Sequence, residues 1–181
     1  MSSDQERLTG LDLEQRWHVL NFDLRLGSKY HTARLNFFDR CHTVVATLSA
    51  FLGSTTAVAL LADIPGGKNI AVACSLIVAL GAAIDSVIGF TRKARQYGEL
   101  MRDFILLEIK LIETPCSEVS YISLLKEKRL IEIKEPPGIP ALADRCHIEL
   151  ARLDGLKDGD DGMPAPQSWL KRHFAQVWFF A

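Results

Sequence analysis

Two stretches almost free of ionic side chains constrain this chain most. Residues 44–62, "VVATLSAFLGSTTAVALLA", carry no charge, and residues 70–90, "IAVACSLIVALGAAIDSVIGF", carry only Asp85. A helix of about 19 residues is ~28 Å long, close to the ~30 Å hydrocarbon core of a bilayer. Between the runs lies "DIPGGKN", residues 63–69, where Pro65, Gly66 and Gly67 prevent either helix from continuing. The pattern predicts an all-α protein built on a two-span transmembrane helical hairpin, with the flanking segments forming a cytoplasmic helical bundle. A soluble bundle is the competing reading. Its buried helices would normally be amphipathic, and two consecutive helices apolar all round are uncommon in a chain of 181 residues. The Ser and Thr content of the first run keeps that alternative open.

Charge around the runs gives an orientation. Arg25, Lys29, Arg34 and Arg40 precede the first, and Arg92, Lys93, Arg95 and Arg102 follow the second, whereas the turn offers Lys68 alone. Basic residues stay on the cytoplasmic side, so both termini are expected in the cytoplasm and the turn outside. The opening "MSSDQERLTGLDLEQRW" is polar and acidic, without the basic and apolar regions of a signal peptide. A net charge of −1 supplies no field for nucleic acid. Cys41, Cys74, Cys116 and Cys146 lack metal-ligand spacing, which argues against zinc and a disulfide scaffold and for reduced thiols.

Asp85 is the anomaly. A charged aspartate at the bilayer centre costs about 3 kcal/mol, less near an edge, and Asp85 lies about five residues, or ~7–8 Å, from the cytoplasmic end of its run. Gly81, Ala82 and Gly89 are neighbours at three- and four-residue spacing, a narrow face that admits another backbone. In the first run Ser49, Gly53 and Thr56 form one small-residue stripe, and Thr43, Thr47, Ala50 and Ser54 another. These are the candidates for pore lining or helix packing. Either several hairpins assemble with Asp85 facing a shared aqueous interior, or Asp85 sits at the interface bonded to Thr91 or paired with Arg92.

The predicted segments are a cytoplasmic N-terminal helix and pre-membrane segment (1–43), the hairpin (44–90), cytoplasmic helices (91–155), and an acidic linker with a C-terminal amphipathic helix (156–181). Leu13, Trp17, Leu20 and Leu24 form one helical face, which Gly27-Ser28 is expected to interrupt. Tyr97, Leu100, Phe104, Leu107 and Leu111 repeat at 3-4 spacing, a seam for the bundle or for an oligomer. The second span is expected to continue as a single helix to about Glu113, where Pro115 ends it. Ser117 is a plausible N-cap for a helix over 117–133 carrying Leu124, Leu125, Lys128 and Ile131. Residues 141–153 are expected to turn Leu142, Cys146, Leu150 and Leu153 inward. Leu170, Phe174, Val177 and Trp178 could lie in the lipid interface or dock on the bundle.

No catalytic constellation is visible. His18, His31, His42, His147 and His173 are scattered, and adjacent Cys146 and His147 would point about 100° apart on a helix. The glycines form neither phosphate-cradling motif. The chain is expected to be no enzyme and to need no cofactor or metal.

The order of features resembles the SLATT-domain family. "SKYHTARLNFFDR" precedes the two spans, the second span carries a late acidic residue, and "TRKARQYGELMRDFILLEIKLIE" and "KRLIEIKEPPGIPALADRCHIEL" follow. The similarity covers roughly residues 25–153. It implies a bacterial two-span effector of the inner (plasma) membrane, homo-oligomeric and pore-forming, in defence or nucleotide-linked signalling. Its implied partners are membrane lipids and a protein or nucleotide-linked trigger, with no nucleic acid. The family has no catalytic residues to carry over, and Asp85 is the most plausible pore-side position. A non-conducting, membrane-anchored scaffold whose cytoplasmic helices bind a protein is the alternative.

Overall fold

The computed structural model describes residues 12–52, 54, 67–157, 160, 163 and 164. Among these the protein is all-α, with five helices and no strand: α1 (Leu13–Leu52), α2 (Gly67–Ile88), α3 (Phe90–Glu113), α4 (Glu118–Glu132) and α5 (Pro140–Leu153). Gly53, Thr56, most of the rest of the first run's second half, and the C-terminal amphipathic segment lie outside the described residues. The chain divides into two compact units, one of residues 1–33 with 98–181 and one of residues 34–97. These divisions fall inside the segments that the sequence assigns to the cytoplasmic side.

The first unit has a hydrophobic core. Leu20 and Leu24 of α1, Leu100, Phe104, Leu107 and Leu111 of α3, and Tyr121, Leu124 and Ile131 of α4 are all buried. Leu24 is 0% and Leu124 1% exposed, and each such side chain contributes about 1.5–3 kcal/mol through burial. The 3-4 repeat of α3 is thus covered within the chain. Ser117 caps α4, accepting from the Ser120 amide. Pro140 opens α5, where its missing N–H costs nothing. Ile139, Ala141, Leu142 and Cys146 form a buried cluster against Leu26, Tyr30 and Ala33.

Two local expectations fail in this unit. Helix α1 runs through Gly27-Ser28 without a break. Thr32 Oγ1 donates to the Ser28 carbonyl and Ser28 Oγ to the Arg25 carbonyl, so the polar side chains bond within the helix. Gly27 serves packing instead. A Cβ there would lie 2.7–2.9 Å from three atoms of the Phe104 ring, so glycine is what lets the ring approach the helix. Leu153 does not turn inward; it is 74% exposed, at the last position of α5, where α-helical packing has ended.

In the second unit α1 and α2 run antiparallel. Phe38 packs on Phe90, His42 faces Asp85, and a Cβ on Gly81 would meet Val45 Cγ1 at 3.6 Å. Each step along α1 is matched by a step back along α2. Half-buried Ala71, Cys74, Val78, Gly81 and Asp85 form the α2 side of this seam at 3-4 spacing. The expected single helix to Glu113 is divided at Gly89, whose φ of +66° lies in the left-handed region that side chains disfavour. The end at Glu113 stands.

Candidate functional site

The break at Gly89 accounts for the half-buried carboxylate. A residue in left-handed conformation cannot pass the α-helical ladder on intact. The Gly89 amide still donates to the Asp85 carbonyl at 2.7 Å, but the next amide, Phe90 N–H, donates to Asp85 Oδ1 at 3.2 Å. Asp85 therefore supplies, from its own side chain, the acceptor that the turn withdraws. Its other oxygen, Oδ2, lies 3.6 Å from His42 Nδ1 across the seam, an electrostatic contact longer than a hydrogen bond. The alternatives in which Asp85 bonds to Thr91 or pairs with Arg92 are replaced by these two partners.

Beside the break is an aromatic cluster with cations in it. Phe38 stacks on Tyr97 at 5.5 Å and 9°. The buried Arg34 guanidinium lies over Phe37, Phe38 and Tyr97 at 5.6, 4.7 and 5.3 Å, and Lys93 Nζ lies 5.5 Å over Phe38. Cation–π attraction and ring burial together hold α1 against the start of α3 within this unit.

The remaining candidates in the spans distribute unevenly. Gly81 lies on the seam and Ser49 is half-buried, whereas Ala82 is exposed, so Gly81, Ala82 and Gly89 do not share one face. A residue one position on is rotated by about 100°, which is enough to leave the seam. Ser75, Ala79, Ala82 and Ser86 lie together on the exposed side of α2. The larger exposed side chains are apolar: Val44, Leu48 and Phe51 on α1, and Ile70, Val72, Leu76, Ile77, Leu80, Ile84 and Val87 on α2. The window Asn69–Ile88 has a mean hydropathy of 2.2 and is 0% buried. It is the one helix, among the described residues, long and apolar enough to cross a membrane.

The first unit contains an open, largely apolar groove of about 400 Å³, whose lining includes Asp23, Tyr30, His31, Phe104, Lys128 and Glu135. His31 is 1% exposed, stacks on Phe104 at 5.4 Å, and shares a hydrogen bond of 2.9 Å between Nε2 and Glu135 Oε1. Lys128 Nζ is held by Asp23 at 2.6 Å and Glu132 at 3.5 Å. Tyr30 Oη accepts from the Ile139 amide at 3.0 Å, fixing the chain just before α5. Every one of these groups is engaged in holding helices together, and no nucleophile stands beside a base. Sequence reasoning missed this arrangement because its partners are more than a hundred residues apart.

Titration follows burial and pairing. Burial pushes the Cys146 thiol up to about 11, with nearby Glu149 adding to the rise, so it is a packing residue rather than a nucleophile. Glu149 is itself buried enough to raise its carboxyl, yet hydrogen bonds from Arg145 and Lys29 outweigh this and hold it below its ordinary value. His147 packs its ring on Phe22 at 5.0 Å. Among the described residues no group of three His, Cys, Asp or Glu side chains is arranged to hold a metal ion. Compared with known proteins, the chain matches no family model, no curated protein and no solved structure.

Proposed function

We propose that this chain is an integral membrane protein anchored by a two-span helical hairpin, whose copies associate and perturb the bilayer, as the SLATT resemblance implies. The carrying observation is the exposed surface of α2, apolar over Asn69–Ile88 and 0% buried. In water each exposed Leu or Ile forgoes about 1.5–3 kcal/mol of burial, so a helix this uniform requires lipid or another chain around it. The antiparallel seam with α1 supports the hairpin, and the basic flanks support cytoplasmic termini. Ser75, Ala79, Ala82 and Ser86, small and exposed at 3-4 spacing, fit a close helix–helix contact between copies. Asp85 contributes in this reading as the clamp of the hairpin.

A non-conducting scaffold is the second reading, favoured by the same clamp: a carboxylate engaged by Phe90 and His42 is withdrawn from any shared interior. Flotation after alkaline extraction tests the membrane reading. Retention in the vesicle fraction is expected, and recovery as a soluble monomer would overturn it. Topology is tested by Lys68→Cys, which should react with impermeant maleimide in intact cells. Dye leakage from liposomes holding the purified chain separates the two roles. Leakage that falls on Ala82→Leu supports the oligomeric pore, and absence of leakage at any protein density supports the scaffold.

A further inference from the structure

We propose that Arg40, Arg92, Lys93 and Arg95 form a binding site for the phosphate headgroups of anionic glycerophospholipids. This rests on the membrane reading above. In the first unit most of the described cations are matched to carboxylates, among them Arg16 to Glu118, Arg25 to Asp154, Lys29 to Glu149, Lys128 to Asp23 and Lys134 to Asp103, while Arg102, Lys126 and Lys157 are not. In the second unit these four are exposed, and among the described residues none has a carboxylate within ion-pair distance. Arg40 forms no bridge even though Asp39 precedes it. Residues 34–97 hold six Lys and Arg against three Asp, a balance of +3 in a chain whose total is −1.

The positions suit phosphates. Arg40 precedes exposed Val44 by four residues, and Arg92 follows exposed Val87 by five. At 1.5 Å per residue the first is a rise of ~6 Å, and Arg92 lies just past the Gly89 break, in the first turn of α3. A bilayer of ~30 Å hydrocarbon and ~40–45 Å overall has a headgroup layer of about 5–8 Å on each side. The four cations therefore begin where phosphates lie when the apolar band fills the hydrocarbon. Lys93 is held toward the hairpin by its contact over Phe38, and Arg92 folds back on the break, its Nε 3.4 Å from where a Cβ on Gly89 would be. Arginine offers phosphate a paired fork of donors, so the site favours a phosphomonoester or phosphodiester anion over a diffuse negative surface.

The test uses the full chain in vesicles of phosphatidylcholine with and without phosphatidylglycerol, with co-purifying lipid counted by mass spectrometry of the protein in detergent. The expected result is retention of phosphatidylglycerol over phosphatidylcholine by about tenfold, lost in R40Q/R92Q/K93Q/R95Q and kept in the equally charge-reduced control K126Q/R129Q/R145Q/K157Q. If the quadruple variant does not fold, R92Q and K93Q singly should each lower retention. Equal retention of both lipids by inserted protein, or unchanged preference in the variants, overturns the site. Full displacement by millimolar inorganic phosphate would also overturn it, assigning the cations to a soluble anion. Failure of the protein to float with vesicles would instead overturn the membrane reading.

Discussion

The two units differ in how their helices are covered and their charges paired. In residues 1–33 with 98–181 an apolar core is buried, although Ile112, Val119, Leu130 and Ile133 stay exposed, and most of the described cations meet carboxylates, as with the paired oxygens of Glu118 on Arg16 and of Asp154 on Arg25. In residues 34–97 Phe38, Phe90 and Tyr97 are buried, but α2 exposes Val72, Leu76, Ile77, Leu80 and Val87, the partly exposed pair His42–Asp85 lies on the seam, and Arg40, Arg92, Lys93 and Arg95 make no ion pair with a carboxylate among the described residues. On the proposed reading the exposed apolar band of α2 meets lipid, and the contrast then reflects different surroundings for the two units.

Truncations give the largest test of this contrast. Leu124→Ala removes a side chain that is 1% exposed, and should cost about 2–5 kcal/mol in denaturant unfolding of the full chain in detergent. Leu76→Ala, 69% exposed on α2, should cost within about 0.5 kcal/mol in the same assay. Equal costs would mean that α2 is covered by protein, and the contrast would break.

Close approach comes next. Gly27→Val would drive a side chain into the Phe104 ring and should lose about 1–3 kcal/mol, partly recovered when Phe104→Leu is added. A purely additive double variant would refute the packing role. Gly89→Ala should lose about 1–2 kcal/mol from its left-handed conformation, read as lowered thermal stability in detergent with the first unit's near-ultraviolet signal unchanged. If it is neutral, the helix does not break there.

The smallest effect concerns the surface pairs. Arg145→Ala removes an exposed bridge to Glu149 and should cost about 0.3–0.5 kcal/mol at neutral pH. Because the folded carboxyl of Glu149 sits below its ordinary value, its contribution is present above that value and is lost as pH falls through the folded one. The difference between wild type and variant should therefore shrink on acidification. A difference that grows toward acid would reverse the assigned sign.

Periodicity made much of the helical plan legible. Tyr97, Leu100, Phe104, Leu107 and Leu111 announce their burial by 3-4 spacing, and Ser117 announces a cap by standing before a helical run. Glycine was harder to interpret. Gly27 looks like a breaker until the Phe104 ring is known to rest against it, and Gly89 looks like a packing residue until its φ is known. In both cases the decisive partner or conformation has no local signal. The His42–Asp85 contact was hidden for a related reason: it depends on the register between two helices, which the sequence between them does not specify to the residue. His31 with Glu135, and Lys128 with Asp23, join segments with no shared pattern.

One consequence follows from the acceptor that Asp85 lends to the Phe90 amide. On the membrane reading proposed above, an unmatched N–H is the greater liability, and a nearby negative oxygen is tolerated because it answers that need. Tolerance at position 85 should therefore track the presence of a short oxygen-bearing arm more than formal charge: asparagine should substitute readily, glutamate less so because of its extra methylene, and leucine poorly despite suiting the surrounding greasiness best.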